Sequence, residues 1–352
     1  METKTKVIIA GAGIAGPVLA VFLKLKGYDP VVYERVDALA DVGLALCMQP
    51  NGLRLVGQPL ERFKHAPSRH EERVLVDVDY PILHDGHPTA ALNRTIVELV
   101  SLKQDDDSVE VTFENGVVDK ASFVVGCDGL HSNTRVCLFG HESASYTGLT
   151  QTGGISPTPE SHKGHRTMLN VYADGAHLIA FPMNDKQTSW AITRREAEAR
   201  ESWRSIDDEQ QNHFKEGPWS QWPFGAGELV RTADRIVKYG LYDRPELRSW
   251  HKGRVVLLGD AAHPTSPHNP SAAAPSAELL STIFSEYEQL RIARTSELVK
   301  GARKQGEVRV VQGEAACKAR DESLKAVYAD EDFLQNWLQL FRHPFITGES
   351  EI

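Results

Sequence analysis

Cysteine is scarce in this chain: four residues in 352, Cys47, Cys127, Cys137 and Cys317, with no C-x-x-C pair among them. That excludes a disulfide framework and a thiolate metal site. Free thiols point instead to a reducing compartment, and a cytoplasmic protein is expected. Positive charge is short as well, with 39 Lys and Arg against 48 Asp and Glu and a net charge of -9. No basic stripe offsets this balance, so a nucleic-acid partner is not expected. The histidine pairs His84/His87, His162/His165 and His263/His268 sit in Gly- or Pro-rich loops without a further ligand, so no metal is expected. No G-x-S-x-G nucleophile elbow is present. No signal peptide is apparent. The apolar run over residues 7–23 is broken by glycines and Pro17, so no membrane span is expected.

What is present begins with residues 6–35, which read as strand, glycine turn, helix and strand. Val7, Ile8, Ile9 and Ala10 form a short apolar run suited to a strand buried on both faces. Gly11, Gly13 and Gly16, with Ala12, Ile14 and Ala15 between them, give the G-x-G-x-x-G spacing of a dinucleotide-binding turn. Pro17 falls in the first helical turn and Gly27 closes the helix. Glu34 ends the next strand, 18 residues past Gly16, where a carboxylate can accept both hydroxyls of an adenosine ribose.

Further along, a helix is expected near Asn51, an alternating strand over residues 73–80, and a helix over 91–102 that carries Arg94. Asn115-Gly116 marks a hairpin and Asp105 to Asp107 a solvated tip. A buried strand, Phe123 to Val125, runs into Asp128-Gly129, and a helix starts with Ser132, Asn133 and Arg135. Two strands over 167–183 joined by a type I′ turn at Asp174-Gly175, a third over 188–194, and a helix over 206–214 point to a separate antiparallel domain. Trp203, Trp219, Trp222 and Phe224 are expected to pack in it or between domains. Another buried strand, Val255 to Leu258, leads to Gly259-Asp260. A long polar helix follows over 276–320 and a shorter one over 332–341.

Three motifs therefore stand in order: GAGIAG with Glu34 and Arg35, CDGLHSNTR, and LLGDAAHP. Together they resemble the group A FAD-dependent aromatic monooxygenases, the family of p-hydroxybenzoate, salicylate and urate hydroxylases. LYDRPELRSWHKGRVVLLGDAAHPTSP is similar to the fungal salicylate-hydroxylase-like branch. The resemblance implies an α/β fold: a Rossmann-like FAD-binding domain of the glutathione-reductase type, an inserted antiparallel-sheet substrate domain, and C-terminal helices. The expected division is 1–72, 92–145 and 241–275 for the FAD-binding domain, 73–91 and 146–240 for the substrate domain, and 276–352 for the helices.

By the same resemblance, Gly11, Ala12, Gly13, Ile14, Ala15 and Gly16 would hold the FAD pyrophosphate, Glu34 the ribose, and Arg35 would lie beside the adenosine. Arg94 would reach the flavin side and Asp128 would serve both FAD and NAD(P)H. Gly259 and Asp260 would bind the ribityl chain or pyrophosphate, and Gly43 and Pro267 would border the isoalloxazine. The implied reaction takes NADPH or NADH as transient reductant and O2, and hydroxylates a small aromatic substrate through a flavin hydroperoxide. A base over the ring is needed, and Tyr172 and His177 are the candidates. A monomer or homodimer is expected.

The chain also departs from the family. After LLGDAAHPTSP a glycine-rich G-Q-G-A-N segment normally opens a helix aimed at the flavin, whereas this chain reads His268-Asn269-Pro270-Ser271-Ala272-Ala273-Ala274-Pro275. The stretches after Arg94 and around 56–71 also look shortened. A flavin-poor member that binds ligand or partner without catalysis is therefore the alternative, and another flavin oxidoreductase such as an epoxidase or halogenase is a second.

Overall fold

The computed structural model of the chain describes residues 4–35, 94–96, 98–164, 168–197, 206–263 and 277–333. The expectations for Gly43, Cys47, Trp203, Pro267, the helix near Asn51 and the strand over 73–80 lie outside these residues. The fold is mixed α/β, with a Rossmann-like sheet, an antiparallel sheet and C-terminal helices, as expected. It divides into two compact units, the second comprising 147–241 and the chain from Lys304 onward among its described parts.

The first unit is built on a six-stranded sheet. Strand β1 (Lys6–Ala10) is central, and its Val7, Ile8 and Ile9 are fully buried. Helix α1 (Ala15–Leu25) crosses over to β2 (Asp29–Glu34), which pairs parallel with β1. Leu19, Ala20 and Leu23 line its buried side at helical spacing, so one face of α1 covers the sheet. The helix ends where Gly27 takes φ 90°: its N–H donates to Lys24 O at 3.0 Å, and Tyr28 N–H to Leu23 O at 3.0 Å. This is a Schellman closure, which turns the chain directly into β2.

Beyond β2 lies β3 (Arg94–Ile96), paired parallel with Val32 to Glu34. This corrects the helix expected over 91–102. Thr95 and Ile96 are β-branched, and pairing with β2 outweighs the local helical pattern. Strands β4 (Leu99–Gln104), β5 (Val109–Phe113) and β6 (Val118–Ala121) form a three-stranded meander. The Asp105 tip is held by its own carboxylate, which accepts from Asp107 N–H at 2.9 Å and Ser108 N–H at 2.7 Å. On the other side of β1 come β7 (Phe123–Gly126) and then β14 (Val255–Leu257), both parallel to their neighbours. Strand β13 (His251–Lys252) closes that edge antiparallel. Helix α2 (Asn133–Phe139) follows β7.

The second unit has a five-stranded antiparallel sheet in the order β12-β8-β11-β10-β9. Its strands are β8 (Ser145–Pro157), β9 (Leu169–Tyr172), β10 (Ala176–Pro182), β11 (Gln187–Arg195) and β12 (Arg235–Asp243). One face packs Leu178, Trp190 and Ile192 against Leu229 and Val230 of α4 (Ala226–Arg231). Helix α3 (Asp208–Glu216) adds Phe214 to that cluster and is capped by Asp207, whose carboxylate accepts from Gln210 N–H at 2.8 Å. Trp219 and Trp222 join the same core, whereas Phe224 is 72% exposed at φ 59°, so the packing role expected of it does not hold. The β9–β10 turn takes a positive φ only at Gly175 (67°), which corrects the type I′ assignment, since that turn needs φ above zero at both central residues.

At the C-terminal side, α5 (Ala277–Arg309) and α6 (Glu314–Ala329) replace the single helix expected over 276–320. The break at Val310-Val311-Gln312-Gly313 carries a glycine at φ 89°. The hairpin of β9 and β10 meets it there: Gly175 N–H donates to Val311 O and Gly313 N–H to Asp174 Oδ1, both at 2.8 Å. No helix among the described residues is long and apolar enough to cross a membrane.

Candidate functional site

The carboxyl ends of the parallel strands bring the three sequence motifs together. Ala10 is in register with Tyr33 on one side and Gly126 on the other, and Gly126 with Leu257. The turns that leave β1, β2, β7 and β14 therefore emerge side by side. Strand order reverses between β1 and β7, and a crevice at such a switch point is where open α/β sheets bind ligands.

The glycines have different reasons to be glycine. A Cβ on Gly11, at φ 103°, would overlap the Cys127 carbonyl and come within 2.9 Å of Asp128 Cα. A Cβ on Gly16 would overlap the Gly11 carbonyl and lie 3.2 Å from Ile9 Cγ2. Both are demanded by close packing of turn, helix and strand. Gly13 is the opposite case, because a Cβ there meets nothing within 4 Å. Its bare face is open space at the mouth of the turn.

The turn is poised for a phosphate. Ile14 stands at the N-cap of α1, its side chain makes no capping bond, and no acidic residue lies in the first turn. The unsatisfied N–H groups and the positive end of the helix dipole thus face outward. Glu34 Oε2 accepts from Ala12 N–H at 2.6 Å, placing the carboxylate against the turn. Arg35 is beside it, 3.7 Å from Glu98 Oε1. Gly259, at φ 64°, packs so closely on α1 that a Cβ would be 3.2 Å from Ala15 Cβ. Asp260 follows in a short 3-10 turn; part of its surface is open, and the protein packed around its carboxyl desolvates it enough to raise the pKa. These residues fit a dinucleotide: glycine clearance, bare helix end and flanking carboxylates all occur within one stretch of sheet edge.

The Asp128 carboxylate is bonded within the protein. Its carboxylate accepts from Ser132 Oγ at 2.5 Å and from both Thr134 N–H and Thr134 Oγ1 at 2.9 Å. Burial pushes its pKa up and these bonds oppose the rise. The group thus ties the N-terminus of α2 to the end of β7, with Ser132 Oγ accepting from Arg135 N–H at 2.8 Å as the cap. Sequence reading named Ser132 as a cap but missed Thr134. Arg94 lies on β3 next to β2, at the far side of the sheet from β14.

Tyr172 and His177, the candidate bases, are cross-strand partners on β9 and β10 with ring centres 4.6 Å apart. His177 is fully buried, and its Nε2 bonds Asn170 Oδ1 at 3.0 Å. Burial, then the charges of Arg309 and Arg320, lower its pKa to about 3. Tyr172 is raised to about 12, mainly by burial, and carries Arg320 over its ring at 5.4 Å. Both are therefore neutral near pH 7. The folded protein binds no proton at His177 between its unfolded pKa of about 6.5 and about 3, so stability falls as pH drops through that window. Thermal melts should show this loss, and His177→Gln should flatten that part of the profile.

They belong to a polar row that the sequence did not disclose. Gln151, Thr193, His177 and Tyr172 are successive register partners across β8, β11, β10 and β9. Gln151 Nε2 donates to Thr193 Oγ1 at 3.2 Å, and Tyr239 on β12 donates to Gln151 Oε1. The row crosses the sheet on the face opposite Leu178 and Trp190.

Comparison with known proteins places the chain. The family model for the FAD binding domain matches residues 83–271, more than half of its length. The chain belongs to that family. Its relatives include 3-amino-4-hydroxybenzoate 2-monooxygenase of Streptomyces cremeus, 26% identical with 93% of each chain covered. Another is 6-hydroxynicotinate 3-monooxygenase of Bordetella bronchiseptica, 24% identical over 82% of this chain and 84% of the other. Klebsiella pneumoniae HpxO, solved with FAD and uric acid, shares the fold at TM-score 0.67 and 19% identity, covering 96% of this chain and 92% of that one. The flavoprotein is an FAD-dependent monooxygenase, an oxidoreductase. The Streptomyces alignment runs over 383 positions, more than the 352 residues of this chain, so that relative carries residues without a counterpart here.

Proposed function

We propose that this flavoprotein uses NAD(P)H and O2 to hydroxylate a small aromatic or heteroaromatic ring, with 147–241 supplying the substrate domain. The observation that carries the reading is the convergence of the Gly13 opening, the bare end of α1, Glu34 and Gly259-Asp260 along one sheet edge. Relatives named for hydroxybenzoate and hydroxynicotinate oxidation support the substrate class.

The chain's own contributions follow from its geometry. Gly13 and the N–H groups opening α1 would receive the pyrophosphate, Glu34 the ribose hydroxyls, and Asp260 a hydroxyl of the ribityl chain. Bound FAD supplies the redox chemistry and oxygen activation. In the polar row, the Tyr239 phenol, raised to about 12 by burial, stays protonated and donates, while Gln151 offers both an acceptor and a donor. Such groups orient a ring through its hydroxyl or ring nitrogen. His177, weakly basic and fully enclosed, fixes Asn170 and is ill suited to remove a substrate proton.

NAD(P)H oxidation by the FAD-loaded protein across hydroxybenzoates and hydroxypyridines tests the reading. The expected result is acceleration by one of them with a hydroxylated product. No acceleration by any, with flavin bound, contradicts it. A second reading, a shortened member without catalysis, draws on the residues missing relative to the Streptomyces protein; failure to retain FAD would favour it.

A further inference from the structure

Helix α5 turns Leu280, Phe284, Tyr287, Arg291, Thr295 and Val299 inward, each more than nine-tenths buried. Five of these suit a core-facing stripe. The arginine does not. Its guanidinium makes no hydrogen bond or ion pair among the described residues, and Nη1 is sealed from solvent without a partner. The charged and titratable groups felt there are Tyr287 and Arg294, with no carboxylate among them. A buried, unpaired guanidinium is strongly unfavourable unless an anion completes it. One turn earlier, the Tyr287 hydroxyl is a second buried donor without a partner among the described residues, and burial raises its pKa so that it keeps its proton.

Ring contacts fix where this pair lies. Phe284 is 6.2 Å from Phe123, at the start of β7. Tyr287 is 5.3 Å from Trp250, whose carbonyl accepts from Leu257 N–H at the end of β14. Helix α5 therefore advances along the strands toward their carboxyl ends, and Arg291 lies one turn further. Trp250 also stacks on His263, 4.7 Å away, where the chain leaves the Gly259-Asp260 turn. The unpaired donors thus sit at the same sheet edge as the glycine turn.

We propose that Arg291 and Tyr287 form an oxyanion site at this edge, taking a carboxylate or phosphate oxygen through charge-assisted hydrogen bonds. The oxygen comes either from a free small anion or from the nucleotide cofactor. Thermal melts of the apoprotein with inorganic phosphate or benzoate, against chloride at equal ionic strength, test the first source. FAD titration tests the second. Arg291→Met should fold and melt above wild type without ligand, because it removes an uncompensated buried charge.

If the site takes a free anion, phosphate or benzoate raises the wild-type melting temperature and leaves the Met variant unmoved. If the oxygen belongs to the cofactor, the Met variant binds FAD about tenfold or more weakly, with Tyr287→Phe intermediate. The proposal is overturned if the Met variant keeps every wild-type response, or if wild type responds to none of the three. A wild type that ignores FAD but answers to phosphate or benzoate would sink the flavin reading and leave this site standing.

Discussion

Gly13→Ala should leave the apoprotein within about 0.5 kcal/mol of wild-type stability and yet weaken FAD binding by at least about tenfold. Gly16→Ala should instead cost about 3 kcal/mol or more of stability and lose the flavin with the fold. The two glycines are three residues apart in one motif, so the contrast separates packing from binding. At Gly16 a methyl has nowhere to go, with the Gly11 carbonyl and Ile9 Cγ2 against it. Relief would require α1 to lift from β1 and expose the fully buried Ile9. At Gly13 the backbone is not in the left-handed region and the methyl meets no atom of the described residues. It occupies only the space through which a pyrophosphate would approach the turn. Calorimetric melts and quenching of flavin fluorescence on titration read the two quantities separately. Equal FAD affinity for wild type and Gly13→Ala would mean that the phosphate does not sit there.

Glu288→Ala should destabilise the protein by about 3–5 kcal/mol, the cost of leaving buried hydrogen-bonding groups without their charged partner. One oxygen of this carboxylate, Oε1, accepts from Ser249 Oγ at 2.8 Å, Trp250 N–H at 2.5 Å, His251 N–H at 2.9 Å and His251 Nδ1 at 2.6 Å. The pair is well shielded, with side-chain exposures of 13% for His251 and 12% for Glu288. Alanine strands the Trp250 N–H and the His251 ring N–H, and leaves the His251 N–H only its longer contact of 3.4 Å to Ser249 Oγ. Trp250 loosens with them, and its ring supports His263 and Tyr287. FAD affinity should therefore fall as well, although Glu288 is remote from the glycine turn in sequence. Glu288→Gln keeps an acceptor oxygen at the same reach and should lose less than half as much. Urea denaturation of the three proteins checks the order; an alanine variant as stable as wild type would refute the clamp.

The sequence was most legible where a short stretch dictates its own conformation. Gly11, Gly13 and Gly16 after an apolar run have little alternative to a strand–turn–helix, and Gly27 ends α1 at the place expected. Asp207 caps its helix for equally local reasons. Arg94 was misread because the decision is not local: Thr95 and Ile96 become a strand by pairing with Tyr33 and Glu34, some sixty residues earlier. The break between α5 and α6 was missed because Val310 and Val311 are weak helix breakers on their own. There the Asp174-Gly175 hairpin supplies bonds that a continuous helix would forgo.

The candidate site divides in the same way. Its glycine turn can be read from glycine spacing and one acidic residue, whereas the bonds from Ser132 and Thr134 to Asp128 come only with the folded turn. Glu288, Arg291 and the row from Tyr239 to Tyr172 carry no motif. Each is defined by neighbours that come together only when sheets and helices pack, so periodicity could at most mark Arg291 as an arginine in an apolar stripe.

The central claim is that this chain holds FAD at the carboxyl edge of the β1-centred sheet. The most direct measurement is the visible absorption spectrum of the purified protein after incubation with FAD and desalting, with Gly13→Ala alongside. Retained flavin absorbance in wild type, and its loss in a folded Gly13→Ala variant, is the predicted result. A wild type that emerges colourless, or a variant that keeps as much flavin as wild type, would contradict it.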